Sequence, residues 1–348
     1  MAKLFYVGFN GYNQCPTQGT FKDDLPNVIT TWTCIPSEGV FNACCTHRAL
    51  IVETKNKFFH TGLIDDVTEC KEIEKPCDFE GFNSCEDYLM AYKGLMLWVY
   101  TYKDSKWKKL NLILSGEEEA NIWNYDGNRI CKLSFRTDTT DTFVLLSSGS
   151  VWTLNDQCTM ELLYPHDTDR AIDVTSGLEH TLILTESGCV LSFGNGSRGQ
   201  LGNGALTSTA TPVQVGPLEG LKIIKIAAGN WHSCAITDAG DLCTWGWNNF
   251  GQLAALEEDE EVGLTATPIF VAVGEDQDNA VLDVVCGSRH TVAKLATGDL
   301  YASGWNAYGQ LGLERSDEKT SKFEMCTLRD NQNRRLLAGS WYTILLEV

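Results

Sequence analysis

Three histidines that recur at one position of a repeated sequence are the first residues to test for chemistry. His180, His232 and His290 each follow a glycine by three residues, and they lie 52 and 58 residues apart. Histidine can bind a metal ion or act as a general acid or base. A zinc site needs several ligands around one ion, and no Cys-x-x-Cys pattern accompanies these histidines. We therefore interpret them as structural imidazoles that bridge neighbouring strands, and we predict no catalytic residue and no metal site.

A second recurring motif, Gly-x-x-x-x-Gly-Gln-Leu, has the glycine content of a phosphate-binding loop. Its first glycine and its glutamine are Gly194 and Gln200, Gly246 and Gln252, and Gly304 and Gln310. A phosphate loop must open a helix after a strand, whereas more strand-like sequence follows each of these motifs. We therefore predict that the motif binds no nucleotide and no other cofactor, and that its glycines and glutamines shape a turn.

The elements that position these residues are short strands. Each repeat contains two apolar runs joined by a tight turn with a glycine at its tip, then the second turn, then two weaker strand-like runs. Glycine supplies the positive φ that a short hairpin needs. Four short antiparallel strands in a repeat of 52 to 58 residues are typical of one propeller blade.

The repeat continues from one end of the chain to the other. A fourth copy starts at Gly339 and reaches Val348, and its missing half resembles the segment from Gly8 to Gln14. We predict one all-β domain, residues 1–348, that forms a seven-bladed β-propeller of four-stranded antiparallel blades. Its expected parts are degenerate blades at about 28–170, well-formed repeats at 171–338, and a closing blade shared between 339–348 and 1–15. An acidic insertion at 257–261 is either a solvated loop or a contact for a basic partner.

Composition limits the partners. The net charge of −19 repels phosphate backbones, so we predict no direct nucleic-acid binding and an attraction for histones or other basic proteins. No apolar stretch is long enough to span a bilayer and no secretory leader is evident, so we expect no membrane association. The 14 cysteines are irregularly spaced, which favours reduced, mostly buried thiols in a nuclear or cytosolic protein.

The residues 177–202, 229–253 and 287–312 resemble the regulator of chromosome condensation family, whose pattern joins Gly-x-x-His-Thr to Trp-Gly-x-Asn-x-x-Gly-Gln-Leu-Gly. The resemblance implies a seven-bladed, non-enzymatic, monomeric propeller in the nucleus or on the chromosome, with the cytoplasm as a second location. Residues 228–233, 245–254 and 286–291 are similar to a family member that partners a JmjC-type oxygenase. That similarity implies a chromatin-associated partner of a JmjC-type histone demethylase or hydroxylase, acting in histone methylation control and chromosome segregation.

Two alternatives remain open. The founding member of the family is a guanine-nucleotide exchange factor for the small GTPase Ran and carries a basic tail. This chain is acidic and begins within three residues of its first expected strand, so we expect no such tail. The other alternative is an adaptor of the ubiquitin pathway or the cytoskeleton, since related propellers occur there.

Within the repeats, the residues just before each histidine position vary while their frame does not. They are Glu179, Trp231, Arg289 and Trp341. Equivalent turns line one open face of related propellers, and variable residues on a fixed scaffold are where binding usually occurs. Tryptophan and arginine are also frequent anchors of protein interfaces. We predict that these four residues form a partner face; the alternative is that Trp231 and Trp341 fill the space between blades. We interpret Trp247 and Trp305, inside the second turns, as packing residues.

Overall fold

Among the residues that the structure describes, the regular structure is short strands, one 3-10 turn and a helical position at Trp123. The computed structural model describes residues 3–11, 28–36, 40–46, 48–64, 67–115, 123, 127–136, 141–167, 169–257, 260–274, 280–314, 317–330 and 334–347. In chain order, the strands of the first half are β1 (Lys3–Phe9), β2 (Val28–Pro36), β3 (Val40–Cys45), β4 (Ala49–Thr54), β5 (Lys57–Ile64), β6 (Val67–Glu74), β7 (Gly81–Ser84), β8 (Tyr88–Lys93), β9 (Met96–Thr101), β10 (Lys106–Lys109), β11 (Ile113–Leu114), β12 (Ile130–Phe135), β13 (Thr142–Leu146), β14 (Val151–Leu154) and β15 (Thr159–Tyr164).

The strands of the second half follow the repeats more regularly. They are β16 (Ala171–Ser176), β17 (His180–Thr185), β18 (Val190–Gly194), β19 (Thr209–Gln214), β20 (Ile223–Ala228), β21 (His232–Thr237), β22 (Leu242–Trp247), β23 (Leu256–Glu257), β24 (Glu260–Glu261), β25 (Leu264–Val271), β26 (Val281–Cys286), β27 (His290–Leu295), β28 (Leu300–Trp305), β29 (Lys319–Met325), β30 (Arg335–Ala338) and β31 (Tyr342–Leu346). A 3-10 turn, Gly216–Leu218, follows β19.

These strands form seven antiparallel blades, each with its first strand innermost. In order the blades are β3–β6, β7–β10, β12–β15, β16–β19, then β20, β21, β22 and β25, then β26–β29, and a closing blade of β30, β31, β1 and β2. The innermost strands contact one another in a ring, from β3 through β7, β12, β16, β20, β26 and β30 back to β3. Seven hydrophobic clusters of described residues each lie between two adjacent blades. The predicted seven-bladed all-β propeller is confirmed.

Both ends of the chain pair within the closing blade. β1 lies antiparallel to β31, with Leu4 opposite Leu346 and Gly8 opposite Tyr342. The amide of Glu347 donates to the carbonyl oxygen of Lys3 at 2.8 Å. Backbone hydrogen bonds therefore close the ring, as the split repeat predicts.

The boundaries of the blades differ from the sequence prediction in two places. The closing blade begins at Arg335 rather than at Gly339, because the innermost strand of each blade precedes the repeat glycine. The segment from Val28 to Pro36 is the outer strand of the closing blade, so the degenerate blades begin at Val40 and not at 28. Residues 12–15, which we assigned to the closing blade, lie outside the described residues.

Other features refine the prediction for the first half and the insertion. The third blade has a fifth strand, β11, which pairs in parallel with β15. The expected acidic insertion lies at a two-stranded hairpin of β23 and β24, and residues 258 and 259 are outside the described part. All thirteen described cysteines are free, but only three of them are buried, so the expected burial of most thiols is wrong. Of the half-buried cysteines, Cys44, Cys45 and Cys286 lie on innermost strands that border the centre of the ring, and Cys70 lies on an outer strand. The described residues include no helix long and apolar enough to cross a bilayer.

Candidate functional site

Each repeat histidine is buried and bonds to a hydroxyl of the following blade. The distances from Nε2 to the hydroxyl oxygen are 2.8 Å for His180 and Ser233, 2.9 Å for His232 and Thr291, and 3.2 Å for His290 and Thr343. Tyr342 occupies the histidine position of the closing blade, and its hydroxyl donates to the carbonyl oxygens of Thr46 at 3.1 Å and Ala49 at 2.6 Å in the first blade. These bonds join neighbouring blades near the ring centre.

The hydrogen bonds fix the tautomer of each imidazole. The hydroxyls of Ser233, Thr291 and Thr343 donate their only proton to the backbone carbonyls of Gln200, Gln252 and Gln310, at 2.9, 2.7 and 2.7 Å. Each hydroxyl must therefore accept a hydrogen bond from the imidazole, so Nε2 carries the proton and Nδ1 is bare. Among the described residues, no group donates to or accepts from any of the three Nδ1 atoms. Burial lowers the pKa of all three histidines to about 3, so they are neutral and suited to a structural role.

The repeat glutamines shape the second turn with their side chains. Oε1 of each glutamine accepts the backbone N–H of the residue two positions earlier. The pairs are Gln200 with Arg198 at 2.8 Å, Gln252 with Phe250 at 3.0 Å, and Gln310 with Tyr308 at 3.0 Å. The side chains of the fixed glutamines thus hold the backbone of three variable residues and place them in equivalent positions on successive blades.

Variable residues of the second turns, together with those of the turns just before the histidine position, form a continuous aromatic belt. The belt consists of Phe9, Trp231, Trp247, Phe250, Trp305, Tyr308 and Trp341, and ring centroids of neighbours lie 4.7 to 6.0 Å apart. All seven side chains are half-buried, so each leaves part of its ring surface at solvent. Ring pairs at such distances stabilise one another in edge-to-face or tilted arrangements. The belt crosses three blades, from the fifth to the closing one.

Two arginines lie on the belt. The guanidinium carbon of Arg198 is 4.3 Å from the ring centroid of Trp231 and 5.1 Å from that of Trp247. The guanidinium carbon of Arg289 is 4.5 Å from the centroid of Phe250 and 5.3 Å from that of Trp305. These are cation–π contacts, which hold the long side chains in place. The belt is therefore an ordered, amphipathic surface with two fixed positive charges.

The inner edge of the belt lines a central funnel. The funnel is a cavity of about 590 Å³ lined by residues from all seven blades, and Trp231, Arg289 and Trp341 lie on its wall. The rest of the lining mixes polar and apolar residues, and each blade contributes a polar one: Thr46, Ser84, Ser134, Ser176, Asn230, Ser288 and Ser340. Such a cavity can receive a side chain or a chain terminus of a bound protein.

Three of the four predicted face residues come together at this site. Trp231, Arg289 and Trp341 line the funnel and belong to the belt or stack on it, whereas Glu179 is absent from the funnel lining and half-buried at the edge of the fourth blade. Trp247 and Trp305 are part of the half-exposed belt as well as packing residues. Sequence reasoning missed Arg198, Phe250 and Tyr308, although the position before the second glycine varies between repeats as much as the position before the histidine.

One group of described residues has the composition of a metal site. Ligand atoms of His232, Cys234 and Cys286 lie within 4.8 Å of one another, and the two sulfur atoms are 3.4 Å apart. A metal requires thiolates, but burial raises the pKa of Cys234 well above its usual value. Nε2 of His232 is also engaged with Thr291. Leu182 and Val292 occupy the position of Cys234 in adjacent blades, which favours apolar packing for the cysteines.

Comparison with known proteins identifies the repeats. Profiles of the regulator of chromosome condensation (RCC1) repeat match residues 187–236 and 239–293, and residues 171–200, 223–252 and 281–310. The chain is 34% identical over 215 residues to human RCC1 domain-containing protein 1, covering 51% of this chain and 57% of that protein. It is 35% identical over 201 residues to the mouse protein of the same name, covering 48% of this chain and 53% of that protein. The chain thus spans little more than half the length of the curated relatives it matches.

Solved structures share the whole fold at low sequence identity. The crystal structure of human WBSCR16 superposes with a TM-score of 0.78 and 14% identity, covering 99% of this chain and all of that one. Prp20p from Saccharomyces cerevisiae gives a TM-score of 0.75 and 14% identity, covering 100% of this chain and 91% of that one. The likeness also extends over the degenerate first half, which lies outside the residues that the repeat profiles match.

Proposed function

Since this chain belongs to the β-propellers built from RCC1 repeats, we propose that it is a non-enzymatic scaffold whose belt and funnel bind another protein. The observation that carries the proposal is that the fixed and the variable residues of each repeat have different roles. Histidine, glycine and glutamine hold the blades and turns, while the positions they support carry half-exposed tryptophans and stacked arginines. Tryptophan and arginine dominate the binding energy of many protein interfaces.

The partner that we propose is a JmjC-type oxygenase acting on histones. The support is the 34% identity to human RCC1 domain-containing protein 1 over 215 residues, together with the resemblance of residues 228–233, 245–254 and 286–291 described above. In this role the protein helps to place the oxygenase on chromatin, takes part in histone methylation control and chromosome segregation, and acts in the nucleus. Histones are further candidate partners for the acidic parts of the surface, since the chain carries a net charge of −19.

A direct titration tests this proposal. Purified oxygenase is titrated into the intact chain, and into a Trp231→Ala/Trp341→Ala double variant, by isothermal calorimetry. We expect the double variant to bind at least tenfold more weakly while it still unfolds in one cooperative transition, at a melting temperature lowered by the lost ring contacts. Phe270→Ala, which removes an exposed ring from β25, is the matched control and should bind normally. Absence of binding by the unmodified chain would exclude the oxygenase.

The second candidate is an exchange factor for a Ran-like GTPase. It is favoured by the likeness to yeast Prp20p, whose structure was reported with its binding properties to Gsp1p and histones. Release of labelled GDP from Ran decides between the two functions. A scaffold leaves the rate of release unchanged, whereas an exchange factor at catalytic concentration accelerates it many-fold.

A further inference from the structure

The charged side chains of the belt and funnel are mostly basic, whereas the chain as a whole is acidic. The chain holds 46 acidic and 27 basic residues. The charged residues of the funnel lining are nevertheless Arg48, Lys132, Arg289 and one acid, Glu86, and Arg198 adds a further cation on the belt. Lys132 is paired with Asp173 at 2.5 Å, on the innermost strands of the third and fourth blades. The charge of Lys132 is thus balanced by a neighbouring acid, and the question that remains is what balances the two arginines of the belt.

Neither arginine of the belt has a carboxylate partner among the described residues. No ion pair joins Arg198 or Arg289 to an acid there, and Nε of Arg289 is buried without an acceptor. The two guanidinium groups share Trp247, whose centroid is 5.1 Å from one and 6.0 Å from the other. Burial and the charge of Arg198 both lower the pKa of Arg289. Two like charges held together without a counterion favour the arrival of an anion.

The stacked arrangement defines which anion fits. A guanidinium that lies over a ring keeps its N–H edge free, and that edge matches a carboxylate in a bidentate geometry. The neighbouring surface is aromatic, so it favours apolar side chains next to the carboxylate. A nucleic acid presents a continuous row of phosphates, which the net charge of −19 repels. A short segment with a few carboxylates carries far less charge and supplies the apolar contacts as well.

We propose that the belt binds an acidic segment of the partner protein, with carboxylates on Arg198 and Arg289 and aromatic or aliphatic side chains on the tryptophans. This inference rests on the proposed scaffold function and gives the chemistry of its ligand. It assigns basic segments such as histone tails to other parts of the surface. The funnel, at about 590 Å³, is large enough to take one side chain of the bound segment.

Peptide binding measured by fluorescence anisotropy tests the inference. The probe is a fluorescein-labelled 12-residue peptide that alternates glutamate with leucine or phenylalanine, at 150 mM salt. Matched probes carry glutamine or lysine in place of glutamate, and a 12-nucleotide single-stranded DNA serves as the polyanion. We expect the glutamate peptide to bind at least tenfold more tightly than each of the other three. Equal or tighter binding of the glutamine peptide, the lysine peptide or the DNA would overturn the inference.

Variants of the protein locate the binding. Arg198→Glu and Arg289→Glu should each raise the Kd of the glutamate peptide at least tenfold. Lys322→Glu makes the same change in net charge at an exposed position of β29, so it is the matched control and should change Kd less than twofold. Arg289→Lys keeps the charge without the planar fork and should give an intermediate Kd. Equal effects of the belt and control variants would show a response to net charge alone and refute the site.

The same variants separate this inference from the proposed function. If the oxygenase binds the intact chain and binds the two arginine variants equally well, the scaffold function stands and the acidic-segment inference fails. If the oxygenase does not bind but the glutamate peptide does, with the expected loss in the variants, the inference stands and the named partner fails. Melting temperatures of all variants confirm that a loss of binding is not a loss of fold.

Discussion

Acidification should weaken the ring through its buried histidines. His180, His232 and His290 are neutral in the folded protein, with pKa values of about 3 because burial disfavours the charged imidazole. In the unfolded chain a histidine titrates near its ordinary value of about 6.5. The unfolded state therefore binds more protons than the folded state between these two values. Stability is present above pH 6.5 and is lost as the pH falls from 6.5 towards 3.

The size of the loss follows from the two pKa values. Between pH 7 and pH 5, linkage gives a loss of about 2 kcal/mol for each histidine, or about 6 kcal/mol for the three. Because the total stability of a domain is about 5–15 kcal/mol, this loss should bring the protein close to unfolding at pH 5. The hydrogen bonds also predict a loss of stability on acidification, since a protonated Nδ1 would find no acceptor among the described residues.

Urea denaturation followed by circular dichroism at pH 7, 6 and 5 measures the effect. The variant His232→Gln should be less stable at pH 7 but should lose about 2 kcal/mol less than the unmodified protein between pH 7 and 5. Ile236→Val, in the same buried strand, lowers stability without removing a titratable group, so its pH dependence should match that of the unmodified protein. A urea midpoint independent of pH, or equal pH dependence in all three proteins, would refute the reasoning about the histidines.

Three further predictions concern the closing blade and the thiols. Gly8 has φ of +123° and an added Cβ would lie 2.5 Å from the carbonyl oxygen of Trp341, so Gly8→Ala should destabilise the protein by about 1–3 kcal/mol in urea titration. Gly216→Ala, at an open position, is its control and should be neutral. Deletion of residues 1–11 removes β1 from between β31 and β2, and should replace one sharp thermal transition by a broad one; an unchanged melting curve would contradict the shared blade. Cys234, Cys243 and Cys326 are buried and should react with a thiol reagent only after unfolding, and fast reaction of all cysteines in the native protein would contradict their burial.

The sequence predicts the parts of the fold that are imposed by backbone geometry. Gly194, Gly246 and Gly304 each adopt a positive φ where the chain approaches the preceding strand. Only glycine meets that requirement easily, so a glycine recurs at this position of every well-formed repeat. The number of blades follows from a count of three well-formed repeats, three degenerate ones and one split copy. The starts of the blades were less predictable, because the innermost strands carry no residue that marks them.

The candidate site was predictable only in part. Trp231, Arg289 and Trp341 stand out because they vary inside a constant frame. The belt that joins them depends on contacts between blades, such as the one between Arg198 and Trp231, which are 33 positions apart. A repeat alignment shows what is equivalent within blades and carries no information on which side chains meet across them. The local positive charge was hidden for the same reason, since a net charge of −19 describes only the whole chain.

Hydrogen–deuterium exchange of the intact chain with and without saturating oxygenase tests the central claim most directly, because it shows where a protein partner binds. We expect slower exchange in the loops that carry the belt, at residues 229–232, 246–251, 287–290, 304–309 and 339–342, with little change in the outer strands β19, β25 and β29. Slower exchange confined to those outer strands, or to the hairpin tips at Gly188, Gly240 and Gly298, would contradict the assignment of the belt and funnel as the partner face.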